Sequence, residues 1–331
     1  MARFSRLDHC DDALLRIEDL TTSFQLDGRS VCVVDGIDLE LARGEALGLV
    51  GESGSGKSVT ALSILRLVPD PPGRIVKGKV VFKGRDLLRL TAAEMRKVRG
   101  NDIAIAFQEP KTALNPLMTV GEQVAEAAIQ HRSCRRGEAR RLAGEILAEM
   151  GIPEPRKILE NYPHQLSGGM CQRVLIAIAL ICLPELLIAD EVTSSLDVTI
   201  QAQILDLLDR LRAERHMSLL LISHDFGVIA EICDQVAVMY AGSIVESAGA
   251  SSLFAHPRHP YTAALFRSRP SPGEVVTKLR TIRGSMPRPD ELPTGCRFHP
   301  RCPRVREECR QQRPALVEIG SGHRVACFYP H

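Results

Sequence analysis

The chain has 331 residues, 44% of them hydrophobic, with 42 Lys and Arg against 40 Asp and Glu. That length allows one large core and an appendage, no run approaches the roughly eighteen apolar residues of a membrane span, and the balanced charge gives no global field to collect nucleic acid. Residues 1–12 are polar and lack the apolar centre of a secretory signal, so a cytoplasmic location is expected, where the ten cysteines would not form a disulfide framework.

Residues 14–24 and 31–41 alternate β-branched and apolar with polar residues and predict two strands. The apolar run 46–50 leads into Gly51-Glu52-Ser53-Gly54-Ser55-Gly56-Lys57-Ser58, a P-loop pattern followed by a helical stretch over 58–67. Glycines let backbone N–H groups turn toward phosphates, Lys57 supplies an ammonium, and the Ser58 hydroxyl suits Mg²⁺. A nucleoside triphosphate is the ligand such a loop implies. The run 69–73, Pro-Asp-Pro-Pro-Gly, stops the helix. A strand over 102–107 then delivers Gln108 at its end. Residues 118–162 carry helical periodicity with a basic run over 132–141, the ordinary pattern of a solvated face. Leu166-Ser167-Gly168-Gly169-Met170 places Ser167 as the N-cap of a buried helix, whose free N–H groups can bind a phosphate. The apolar run 186–189 ends at Asp190 and Glu191, carboxylates suited to Mg²⁺ coordination and to polarising an attacking water. A last strand over 219–222 leads to Ser223-His224-Asp225.

The P-loop, the LSGG-type motif, the Asp-Glu pair and the Ser-His-Asp triplet, in that order, make the chain resemble an ATP-binding cassette (ABC) ATPase. The resemblance implies an α/β cassette with a helical subdomain near 111–183 inside a domain spanning 14–256, binding ATP and Mg²⁺ through Ser58, Gln108 and Asp190. It implies that Glu191, Gln108 and His224 serve hydrolysis, with His224 contacting the γ-phosphate. Phe24 would stack on adenine, Ser195-Leu196-Asp197 would form a loop communicating across a dimer, and the 166–170 motif would complete the ATP site of a second cassette. Two positions depart from the pattern: Cys171 stands where relatives usually carry arginine, and Val192 where proline commonly follows the glutamate. Valine leaves the Glu191 loop more freedom than proline would.

Ala113-Leu114-Asn115-Pro116, the segment 197–205 and His259-Pro260-Tyr261-Thr262 look like the oligopeptide and dipeptide branch of ABC importers. The loop-rich extension 257–331 carries Cys296, Cys302, Cys309 and Cys327. Some similar ATPases hold a [4Fe-4S] cluster there; zinc and free thiols stay open as alternatives. The resemblance implies a peripheral subunit at the cytoplasmic face of the inner membrane. Its partners would be two permeases, a second ATPase and an extracytoplasmic binding protein, with no nucleic acid. A soluble ABC ATPase outside transport is the alternative class, though two cassettes in one chain or a long coiled coil would then be expected. The solute is open among peptides, glutathione and nickel chelates.

Overall fold

The computed structural model describes residues 13–193, 197–268, 282–320 and 322–331; residues 1–12, and Ser195 and Leu196 of the expected inter-cassette loop, lie outside the described residues. The chain opens with a long antiparallel hairpin, β1 (Ala13–Leu26) and β2 (Arg29–Ala42), and turns into the fully buried β3 (Ala46–Val50). Then come α1 (Lys57–Ile64), β4 (Gly73–Phe82), β5 (Arg85–Asp86), α2 (Ala92–Val98) and β6 (Ile103–Ala106). The next stretch is helical: α3 (Pro110–Ala113), α4 (Val120–His131), α5 (Arg136–Glu149), α6 (Pro155–Ile158) and α7 (Gly168–Leu180). Strand and helix then alternate through β7 (Leu186–Asp190), α8 (Val198–Arg215), β8 (Ser218–Ile222), α9 (Phe226–Ile232), β9 (Gln235–Tyr240) and β10 (Ser243–Gly249). The chain finishes with α10 (Ala250–Ala255), α11 (Pro260–Arg267), α12 (Glu307–Gln311), β11 (Val317–Gly320) and β12 (His323–Val325).

These strands form a small antiparallel sheet, β2-β1-β4-β5, and a larger sheet ordered β11-β12-β10-β9-β3-β8-β7-β6. From β9 to β6 the larger sheet is parallel, which requires cover on both faces and explains the uninterrupted apolar runs of β3, β7 and β8. Side chains alternate along each strand. Val50, Leu187, Ala189, Leu219 and Leu221 therefore join the core that includes α4, α5, α7 and α8. Leu47, Leu49, Leu186, Ile188, Leu220 and Ile222 meet the β1–β2 hairpin and α1 on the other side.

The helical pattern read over 118–162 breaks into three helices. Thr119 starts α4 with a capping box to Glu122, satisfying N–H groups at the first turn. Left-handed residues Ser133 (φ 52°) and Glu154 (φ 48°) interrupt it afterwards. The carboxyl region is less loop-like than its prolines suggest, because β12 pairs with β10 and extends the main sheet. That junction is pinned by Glu246, a fully buried carboxylate. Its oxygens accept from the backbone N–H groups of Arg258 at 2.6 Å and His259 at 2.9 Å, and His323 Nε2 lies 2.7 Å away. A buried charge needs such partners, so β12 is held by polar as well as sheet contacts.

Candidate nucleotide site

Because β3, β8, β7 and β6 are adjacent and parallel, the loops that follow their carboxyl ends open at one edge of the sheet. The P-loop follows β3, Gln108 follows β6, Asp190 and Glu191 end β7, and His224 follows β8. The fold thereby gathers residues that lie far apart in the sequence.

The P-loop wraps into the start of α1. Gly56 occupies the N-cap position at φ 109°, and a Cβ on Gly51 would meet the Met239 carbonyl oxygen at 2.2 Å, so neither tolerates a side chain. Lys57, 4% exposed, donates to the carbonyls of Gly51 at 2.9 Å and Glu52 at 3.0 Å, tying the loop to its own ammonium. Burial draws the lysine below its ordinary pKa, while Glu191, Asp190 and Glu52 oppose that shift by favouring the charged form. Ser58 Oγ donates to Asp190 Oδ1 at 3.1 Å. Burial raises the pKa of Asp190, the Ser58 bond opposes the shift, and the charge of Glu191 adds to it. A desolvated carboxylate beside a hydroxyl is a hard oxygen donor pair that fits Mg²⁺.

Glu191 sits at φ 48°, immediately past the strand, and its N–H donates to the Ile222 carbonyl at 2.9 Å. This turn sends its carboxylate toward the neighbours of β7: Gln108 Nε2 donates to Oε2 at 2.8 Å, and His224 Nδ1 lies 3.5 Å from the same oxygen. The structure therefore brings together Lys57, Ser58, Gln108, Asp190, Glu191 and His224. Val192, the departure from the proline pattern, is 2% exposed and anchors this turn in the core.

Ser167 caps α7 by accepting from the Met170 N–H at 3.3 Å. A Cβ on Gly168 would meet nothing within 4 Å, so that backbone is open, whereas Gly169 packs against Ile200 of α8. Leu166 is buried in the core and Met170 packs partly against it. Cys171 is 1% exposed, its thiol directed at the Pro163 carbonyl at 3.5 Å. Asp197 N-caps α8 through the Ile200 N–H at 3.0 Å. Phe24, on β1 of the small sheet, is half-buried and lies against Gly73, where a Cβ would stand 2.7 Å from the ring.

Sequence reasoning missed three participants. Tyr261, wholly buried on α11, accepts at its hydroxyl from the Glu52 N–H at 2.9 Å. Arg301 meets the Glu52 carboxylate from the extension. Leu117 stands 86% exposed in the segment leading from Gln108 to α4. Leu117 stands among other apolar residues, Ala113, Leu114 and Met118, so nothing local marks it as the exposed one; the other two had no signal either, since only the tertiary fold brings them near the P-loop.

In the extension, Cys296, Cys302, Cys309 and Cys327 line one cavity together with Phe298 and Tyr329. Burial raises the thiols of Cys296 and Cys302 and pushes Cys327 up to about 11, with the neighbouring sulfurs adding to each shift. Four sulfurs around one zinc ion would stand about 3.8 Å apart. Among the described residues no three His, Cys, Asp or Glu side chains are gathered to hold such an ion.

A P-loop, Walker-type carboxylates and a capped glycine motif on this sheet define an ABC-type ATPase, with ATP and Mg²⁺ as its ligands. Residues 34–194 match the family model described as ABC transporter, and residues 245–309 match that of the oligopeptide/dipeptide transporter C-terminal region. The chain is 48% identical over 315 residues to the oligopeptide transport ATP-binding protein AppD of Bacillus subtilis, covering 95% of this chain and 96% of that protein. It is 45% identical to the dipeptide transport ATP-binding protein DppD of Escherichia coli, covering 96% and 97%. The chain belongs to the ABC transporter ATP-binding family, in its oligopeptide and dipeptide branch. A solved dimer of the ATP-binding cassette MJ0796 in a post-hydrolysis state with ADP and Pi superposes with a TM-score of 0.65 at 27% identity, covering 71% of this chain and 98% of that one. Among the described residues no helix is long and apolar enough to cross a membrane.

Proposed function

We propose that this chain is the ATP-hydrolysing, energy-coupling subunit of a peptide importer. It works at the cytoplasmic face of the inner membrane with two permeases, a second cassette and an extracytoplasmic binding protein. The observation that carries the reading is the second family match, over 245–309, because it distinguishes the peptide branch from other cassettes. The exposed Leu117 beside the Gln108 segment supports a docking surface for a permease.

Glu191 is the residue that polarises the attacking water, and Asp190, Ser58 and Gln108 would hold Mg²⁺, which would supply positive charge to offset that of the phosphates. Lys57 and the P-loop amides take the outer phosphates, and His224 reaches the γ-phosphate. The α7 terminus after Ser167 completes the site of the opposing cassette, so ATP closes the pair and hydrolysis reopens it. Phe24 carries the adenine. Ser195, Leu196 and Asp197 pass the state of one site to the other.

We also propose that Cys296, Cys302, Cys309 and Cys327 hold an iron–sulfur cluster. The cavity that the four thiols share supports this reading, and a polynuclear cluster accepts sulfurs spaced more widely than a single zinc does. Such a group supplies a covalent cross-link to a region rich in proline.

The test is uptake of labelled di- and oligopeptides by cells lacking the chain, with the parent and Glu191→Gln forms restored. Peptide uptake restored by the parent alone supports the proposal. Normal peptide uptake in the deletion, with loss of uptake for another solute such as a nickel chelate or glutathione, overturns the substrate assignment.

A further inference from the structure

The carboxyl region reaches the phosphate loop itself. Tyr261 holds the Glu52 N–H, Met286 Cε stands 3.2 Å from where a Cβ on Gly54 would be, and Arg301 takes the Glu52 carboxylate. Arg301 Nη1 donates to Oε1 at 3.0 Å and Oε2 at 3.1 Å. Its guanidinium is fixed elsewhere too, by Nε donating to the Arg283 carbonyl at 3.0 Å, with the Tyr240 hydroxyl and the Gly284 carbonyl each at 3.4 Å. The side chain is 6% exposed.

Aromatic packing braces the turn that presents this arginine. Arg301 lies in a short turn between Cys296 and Cys302, and Phe298 of the same turn packs against Tyr240 and Tyr261, each at 5.3 Å between centroids. A partly buried ion pair is poor evidence for added stability, because desolvating the charges offsets their attraction. Its position suggests another use. Glu52 is an acidic residue inside a loop that must receive a highly negative triphosphate, and an uncompensated carboxylate there would repel it.

We infer that Arg301 is a positioning residue for ATP: it neutralises Glu52 and, with Tyr261, holds the first half of the P-loop ready for the phosphates. The carboxyl extension is thereby part of the nucleotide site's supporting structure. The inference rests on the nucleotide site described above, and ATP binding by the parent tests that site separately.

The experiment measures the ATP dissociation constant of the full-length chain by calorimetry, and kcat and KM for hydrolysis, in the parent, Arg301→Gln, Glu52→Gln and the double variant. Arg301→Gln is expected to weaken ATP binding by roughly tenfold, as an unscreened charge near the phosphates would, and to act through KM more than kcat. Glu52→Gln serves as the reference for the pair, and the double variant should bind ATP as Glu52→Gln does, because no carboxylate is left to neutralise. If Arg301→Gln does not fold, the comparison of the double variant with Glu52→Gln still decides. Unchanged affinity in Arg301→Gln overturns the inference. So does a double variant that binds ATP about tenfold more weakly than Glu52→Gln, since a merely structural arginine would be missed with or without the carboxylate.

Discussion

Gln108 Nε2 donates to Glu191 Oε2 at 2.8 Å, joining the end of β6 to the end of β7. The amide thereby occupies an oxygen of the proposed catalytic carboxylate, and His224 approaches that oxygen from β8 at 3.5 Å. A carboxylate engaged in this way must share or release these partners to polarise a water. Movement of Gln108 would therefore also change the hydrogen bonding of Glu191.

Replacing Glu191 by Gln removes the proposed base and keeps the shape of the side chain. ATP affinity should stay within about twofold of the parent while turnover falls at least a hundredfold, the usual scale for losing a general base. Equilibrium binding and steady-state phosphate release in the assembled complex measure the two. Turnover close to that of the parent would remove Glu191 from the catalytic role.

The cysteine cavity predicts a measurable cofactor. Chain purified without oxygen should contain iron and sulfide and absorb broadly in the visible, and Cys309→Ser should reduce both contents and lower the thermal midpoint. Cys309 is the buried member of the set, so serine there removes one of the four proposed thiolate ligands from the inside of the cavity. Stoichiometric zinc without iron would transfer the site to the alternative ligand.

The parts of the site that follow strand ends were legible in the sequence because parallel strands carry their own signal. The apolar runs before Gly51, Asp190 and Ser223 become β3, β7 and β8, and adjacency in one sheet does the rest. Ser167 was readable as a cap for the same local reason. The Glu191 turn at φ 48° was not, since nothing in Asp-Glu-Val specifies a left-handed residue. Nor were β11 and β12: Val317–Gly320 and His323–Val325 are too short to establish a period. Arg301, Tyr261 and Glu246 act across separations that no local pattern encodes.

His259 should make stability sensitive to acid. Burial, with a smaller contribution from His331, pushes its pKa down to about 3. Its Nδ1 accepts from the Tyr261 N–H at 3.0 Å, capping α11, and protonation would turn that acceptor into a donor. The folded value lies below the unfolded one, so the neutral fold is favoured fully above the unfolded pKa near 6.5. As pH falls from there toward about 3, the unfolded chain takes up a proton that the fold refuses, and stability declines by up to about 1.4 kcal/mol per pH unit from this group. Urea unfolding at pH 7 and pH 5 of the parent and of His259→Gln, which keeps an acceptor but does not titrate, isolates the effect. The parent should lose more stability than the variant; equal losses would show that His259 is not the source.

Leu117 is a side chain the fold takes trouble to display. Gln123, itself buried on α4, accepts from the Asn115 N–H at 2.8 Å and donates to the Asn115 and Met118 carbonyls at 3.0 Å each, and Asn115 Oδ1 accepts from the Leu117 N–H at 3.0 Å. A loop braced this firmly holds its apolar residue outward at a loss of hydration that a permease surface would recover. Leu117→Glu should change the stability of the isolated chain by less than about 0.5 kcal/mol and leave its ATP binding intact. In the assembled transporter the same change should sharply reduce co-purification of the permeases and peptide uptake. Uptake and assembly at parental levels would place the permease contact elsewhere on the helical region.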